Sequence, residues 1–157
     1  MIDIDISTYE RELSEHGKII RTNKGTSMMP LIREGRDVMI IERPAGRLKR
    51  YDAPLYRRPD GSYVLHRILK VREQDYVICG DHLVHREYGI TDDDIIGVLT
   101  GVIRDGKTVK VTDLSYRIYS HLWCDFFYIR VAILTLKSLF ARALRYIKRK
   151  FTGKKNK

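Results

Sequence analysis

Residues 62–71, SYVLHRILKV, set aromatic, β-branched and leucine positions around one histidine, and a run of this kind reads as a strand. Similar runs stand on both sides of it: DVMIIER (37–43), APLYRR (53–58), DYVICG (75–80), IIGVLTGVI (95–103) and KTVKV (107–111). Gly, Pro and Asp separate them, and PDG (59–61) and RDG (104–106) carry the chemistry of turns between paired strands. The chain from Lys18 to Val111 therefore reads as a small, mostly antiparallel β domain. Ahead of it, residues 7–17 predict a short helix: Ser7 and Glu10 stand at capping-box spacing, Tyr9 and Leu13 share a face, and Gly17 ends it. Behind it, Leu114 to Phe151 is helical by period. Leu122, Ile129, Leu136 and Ala143 recur every seven residues, as do Phe126, Ile133, Phe140 and Ile147, forming one amphipathic stripe. The expected class is mainly β with α, divided into residues 1–112, the β domain with its N-terminal helix, and residues 113–157, a helical extension with a basic tail.

Composition removes several functional classes. A length of 157 residues with 43% apolar content suits one domain with one core, so a long disordered chain is excluded. Two cysteines, Cys79 and Cys124, cannot build a disulfide framework, and no paired C-x-x-C offers the soft ligands of a structural zinc site. The first residues alternate acids where a secretory signal needs a basic end and an apolar run, so a cytoplasmic location is expected. The net charge of +10 is concentrated: Arg142 to Lys157 holds eight basic residues and no acid, while the rest is nearly balanced. Nucleic acid is thus not the expected partner, because aromatic platforms do not alternate with the charges. Asp125, Arg130 and Lys137 interrupt any run long enough to span a bilayer. Two readings of the helical region stay open: an interfacial helix on an anionic membrane, peripheral at its inner face, or helices packed on the β domain or a second subunit.

Three elements carry chemistry. GTSMMPLIREGRDVMIIER (25–43) places Ser27 on a turn before a strand, where its hydroxyl and a backbone N–H address the same spot. His66 lies in a strand with an arginine beside it. YVICGDHLVHREYGI (76–90) puts Asp81 on a Gly-Asp turn with Glu87 six residues on. Taken singly, each has a plain structural reading as a turn serine, a half-buried histidine or a solvated acid. The triplet Asp92, Asp93 and Asp94 lacks a calcium-type loop and reads as a turn or helix start, and His82 and His85 crowd one loop without a further anchor, so no metal or other cofactor is expected.

Taken together, the boxes G-x-S-M-x-P, G-R-D-V, L-Y-R-R, V-L-H-R-I-L-K-V, C-G-D and I-I-G-V, in this order over residues 20–103, resemble the signal peptidase and LexA-like serine peptidase superfamily. The histidine in H-R-I matches the endoplasmic-reticulum type of signal peptidase, where other members carry lysine. The resemblance implies a fold of coiled antiparallel sheets and an extended peptide or protein substrate bound by strand addition. It also implies an endopeptidase with Ser27 as nucleophile and His66 as general base. An acid, Asp81 or Glu87, would orient the imidazole. Asp81 is preferred for its order at the turn, with Glu87 as co-candidate. Met28, Met29 and Pro30 are expected beside the substrate, and the Ser27 N–H in the oxyanion hole. Gly25 stands where signal peptidases often have a serine that helps build that hole, so the second donor stays open. Neither the family's N-terminal membrane anchor nor its DNA-binding domain is expected before Lys18, and the helical extension is not explained by the resemblance.

Overall fold

The computed structural model describes residues 6–152, with side chains over residues 9–145. Nine strands follow a first helix: α1 (Ile6–His16), β1 (Lys18–Thr22), β2 (Val38–Glu42), β3 (Pro54–Arg57), β4 (Tyr63–Leu65), β5 (Arg67–Val71), β6 (Tyr76–Cys79), β7 (Glu87–Ile90), β8 (Ile95–Arg104) and β9 (Lys107–Lys110). Two helices, α2 (Leu114–Asp125) and α3 (Phe127–Thr152), complete the described chain. The structure is a mixed, mainly β fold whose pairings are all antiparallel. One sheet runs in the order β1-β2-β8-β3-β4, with β9 added to β8, and curls into a half-barrel; the other is β5-β6-β7. The long β8 holds the first sheet together, pairing β2 along one edge and β3, then β9, along the other.

Side-chain alternation explains how one sheet serves two cores. In β3, Leu55 points into a cluster with Leu13, Ile19, Met28, Ile41 and Leu99, while its neighbour Tyr56 points into a second cluster with Ile68, Tyr76 and Ile78. Both expected turns form. Residues 58–62 close the β3–β4 hairpin, and Asp105 and Gly106 at φ 49° and 78° close β8–β9 as a left-handed pair.

Several sequence expectations change. The run at 62–71 is two strands, broken at His66, where the chain passes from the first sheet to the second. Glu87–Ile90, which is not among the runs read as strands, is also a strand. The first helix is already under way at Ile6, so Ser7 is not its cap; that side chain lies outside the described ones. Asp92–Asp94 form a single 3-10 turn behind Thr91, as expected. The boundary at residue 113 marks a change from strand to helix but not a separate core, because Tyr116 of α2 is buried in the first cluster. No helix among the described residues is long and apolar enough to cross a membrane.

Candidate active site

Ser27 lies on the loop between β1 and β2, a segment that must stay rigid without being a regular element. Its turn is held by hydrogen bonds from the Met29 N–H to Thr26 O and from the Ile32 N–H to Met28 O. Asn23 Nδ2 donates to Gly25 O and the Gly25 N–H to Glu34 Oε1. Fully buried Asp37 anchors the far end, accepting from the Arg33 side chain and backbone and from Arg104, which also reaches Leu31 O. Burial alone would raise the Asp37 pKa, but these hydrogen bonds outweigh it and bring it down to about 2. The aspartate of the G-R-D-V box thus fixes the serine loop, a role its sequence position did not reveal.

His66 sits 2% exposed at the corner between the sheets. Its Nδ1 lies 2.8 Å from Glu87 Oε1 and 3.2 Å from the Tyr56 hydroxyl. Arg58 holds Glu87 in a two-pronged pair, Nε to Oε2 at 2.8 Å and Nη2 to Oε1 at 2.6 Å. Burial by itself would raise the Glu87 carboxyl, yet hydrogen bonds from Arg58 and Tyr56 and the neighbouring charges keep it below the ordinary carboxylate range, so it is an anion. An anionic acceptor at Nδ1 fixes the proton there and leaves Nε2 as the acceptor nitrogen. Burial lowers the His66 pKa below its usual 6.5, with Glu87 opposing in part, so the ring is neutral at pH 7.

Asp81 does something else. Its carboxylate makes a two-pronged pair with Arg67 at 2.9 and 2.8 Å and accepts from the Tyr119 hydroxyl, all away from the imidazole's hydrogen bonds. Both members of this pair are fully buried. The order of preference between the two acids is therefore reversed: Glu87 holds the ring, and Asp81 holds Arg67. The physical reason is register. Arg67 pairs with Cys79 across β5 and β6, which brings its guanidinium onto the Gly80–Asp81 turn.

Gly80 joins serine loop and base. A Cβ there would stand 2.7 Å from Ser27 O and 3.0 Å from both His66 Nε2 and Leu83 Cδ1, so only glycine allows the three to converge. The His82 N–H donates to Ser27 O at 2.8 Å, tying the same turn to the serine loop. Among the described residues Ser27 Oγ makes no hydrogen bond, and the Ser27 N–H donates to no protein acceptor. Gly80→Ala is expected to destabilise the fold by about 1–3 kcal/mol, because the methyl overpacks against Ser27 O, the imidazole and Leu83. A urea midpoint unchanged from wild type contradicts this convergence.

A cleft of about 730 Å³ opens over these residues. Its walls come from both edge strands of the half-barrel, Ile20 to Thr22 of β1 and Tyr63 to Leu65 of β4, with Ser27, His66 and Leu83 between them. Met28 does not line it: it is fully buried in the first core. Met29 is half-buried and Pro30 exposed, and neither lines the cleft, which corrects the expected trio of substrate contacts. The aliphatic lining is instead Ile20, Met39, Leu55, Val64, Leu65 and Leu83. Its only sequence signal was the in-and-out alternation of the strands. His82 and His85 are exposed, and no cluster of three or more metal-ligating side chains occurs among the described residues.

The chain matches no protein-family model, no curated protein and no solved structure.

Proposed function

We propose that this chain is a serine endopeptidase that cuts an extended peptide or flexible protein segment, of the signal- or leader-peptide kind, lying in the seam between β1 and β4. The observation that carries the reading is the His66–Glu87 hydrogen bond, which leaves Nε2 unprotonated near the Ser27 turn. In this mechanism Nε2 takes the Ser27 Oγ proton as Oγ attacks the peptide carbonyl carbon, and the free Ser27 N–H donates to the resulting oxyanion. The imidazolium, stabilised by Glu87, then gives its proton to the departing amine. Water, deprotonated by Nε2, releases the acyl group and restores the serine. β1 and β4 stand at the two ends of the strand order, where a sheet can take an added strand. The motif order resembling signal peptidases and LexA-like peptidases supports the same assignment.

Incubation with a mixture of unstructured peptides tests the reading: fragments produced by wild type and absent with Ser27→Ala support it, and equal fragments from both overturn it. One observation favours a second reading, a module that binds peptides without cutting them: Ser27 Oγ is not hydrogen-bonded to His66. In the catalytic reading that bond forms when substrate closes the cleft. Peptide binding without any fragment from wild type would favour the second.

The acid limb of the pH profile checks the base. Neutral imidazole is the working form, so kcat/KM is full at higher pH and falls on acidification with an apparent pKa below 6.5. Glu87→Gln removes the charge that opposes the lowering, so its acid limb moves further down while kcat drops by about 10²–10⁴-fold. An acid limb at or above 6.5 in the wild type, or one that rises in the variant, contradicts the assignment.

A further inference from the structure

A helix docked on a sheet needs one apolar face, and the C-terminal helices have two. The inner face of α2 is occupied: Tyr116, Ser120 and Cys124 are buried, and the Trp123 indole N–H donates to Asp81 O. Phe127 and Arg130 continue that contact into α3, and from Thr135 to Arg145 every residue is exposed. The outer face nevertheless stays apolar. Leu122, Ile129, Ile133, Leu136, Phe140 and Leu144 follow one another at helical spacing, and exposure of this outer row runs from 48% at Ile133 to 69% at Phe140. The periodicity foreseen in the sequence is thus real, but this outer stripe does not pack on the β sheets, which leaves a membrane surface or a second subunit to cover it. Ile147, its last member, lies outside the described side chains.

Charge identifies what covers this stripe. Asp125 is the last acid of the chain and is already engaged by Arg50, Tyr51 and His121. Beyond it stand Arg130, Lys137 and the eight basic residues from Arg142 onward, with no carboxylate among them. A second copy laid along the stripe would set these cations against one another with nothing to neutralise them. An anionic bilayer surface supplies both needs, hydrocarbon for the stripe and negative charge for the rim. We propose that α2 and α3 dock the protein on an anionic lipid surface through this outer stripe and the basic end of α3. The inner face of the same helices carries the Asp81 loop, so docking sets the cleft at a fixed height beside the bilayer. This goes beyond the peptidase reading and does not depend on it.

The test uses the full chain and reads lipid partition without any cleavage. Vesicles of equal parts phosphatidylcholine and phosphatidylglycerol should sediment the protein at low salt, and binding should weaken by at least about tenfold as salt rises to roughly 0.5 M. Ile133→Asp/Phe140→Asp and Lys148→Glu/Arg149→Glu/Lys150→Glu should each lower partition by at least about tenfold. Ile133 and Phe140 are exposed in the outer row, and far-ultraviolet circular dichroism checks that both variants keep the fold. Three results overturn the proposal: a wild type that stays in the supernatant, equal binding to phosphatidylcholine alone, or folded variants that bind as wild type does. A salt-resistant dimer without lipid, lost in Ile133→Asp/Phe140→Asp, would also overturn it by assigning the stripe to a second copy.

Discussion

Ser27→Ala and His66→Gln are each expected to lower kcat/KM for peptide cleavage by about 10⁴-fold or more, with the double variant no slower than the worse of the two. A serine hydroxyl is a poor nucleophile until a base removes its proton, and a base with no hydroxyl to serve does nothing, so the two losses overlap instead of adding. Glutamine is the informative change at position 66. It fills most of the space of a ring that is almost wholly buried and can still donate to Glu87, but it cannot accept and return a proton. Ser27 is half-buried and its hydroxyl makes no hydrogen bond among the described residues, so Ser27→Ala should change stability by no more than about 0.5 kcal/mol. Losses that multiply in the double variant, or a single variant keeping a tenth of wild-type turnover, would mean that serine and histidine do not act as one unit.

The second large effect is on stability and belongs to the other acid. Asp81→Asn leaves the Arg67 guanidinium without its counter-charge in a site fully closed to water, and breaking a buried pair in this way costs about 3–5 kcal/mol. Arg67 keeps hydrogen bonds to Tyr51 O, the Tyr116 hydroxyl and Ser120 Oγ, which hold it in place but do not neutralise it. Urea unfolding should therefore show a large drop for Asp81→Asn. Should that variant not fold, the paired replacement Arg67→Met/Asp81→Leu provides the check, since removing both charges loses less than removing one. Glu87→Gln is the contrast: Glu87 and Arg58 are partly open to water, so the variant loses turnover far more than stability. Equal stability losses for Asp81→Asn and Glu87→Gln would contradict this division of roles.

These two acids show where the sequence was legible and where it was not. Turns were readable because they rest on local chemistry: Asp105 and Gly106 adopt positive φ, and Gly61, at 82°, ends the PDG turn. Helical period was readable too, and so was the proximity of Ser27, His66 and an acid, through motif order. The choice between Asp81 and Glu87 was not readable, because it depends on strand register. Arg67 reaches the Gly-Asp turn only through its pairing with Cys79, and Glu87 reaches the imidazole only through β7, which pairs with β6 at Ile78. That strand was hidden because it is four residues long and contains Gly89 at φ 76°. The break at His66 was hidden for the opposite reason. Apolar residues continue on both sides of the corner, since each sheet buries its own part of the run. Met28 misled by neighbourhood, because the residue after an exposed turn serine points inward to the core.

Covalent labelling decides whether Ser27 is a nucleophile activated by His66. Full-length protein is treated near pH 7.5 with an organophosphonate that reacts with activated serines, then digested, and the adduct is located by mass spectrometry. One adduct is expected, on Ser27, absent in Ser27→Ala and strongly reduced in His66→Gln. No adduct on Ser27 in the wild type, or undiminished labelling of Ser27 in His66→Gln, would contradict it.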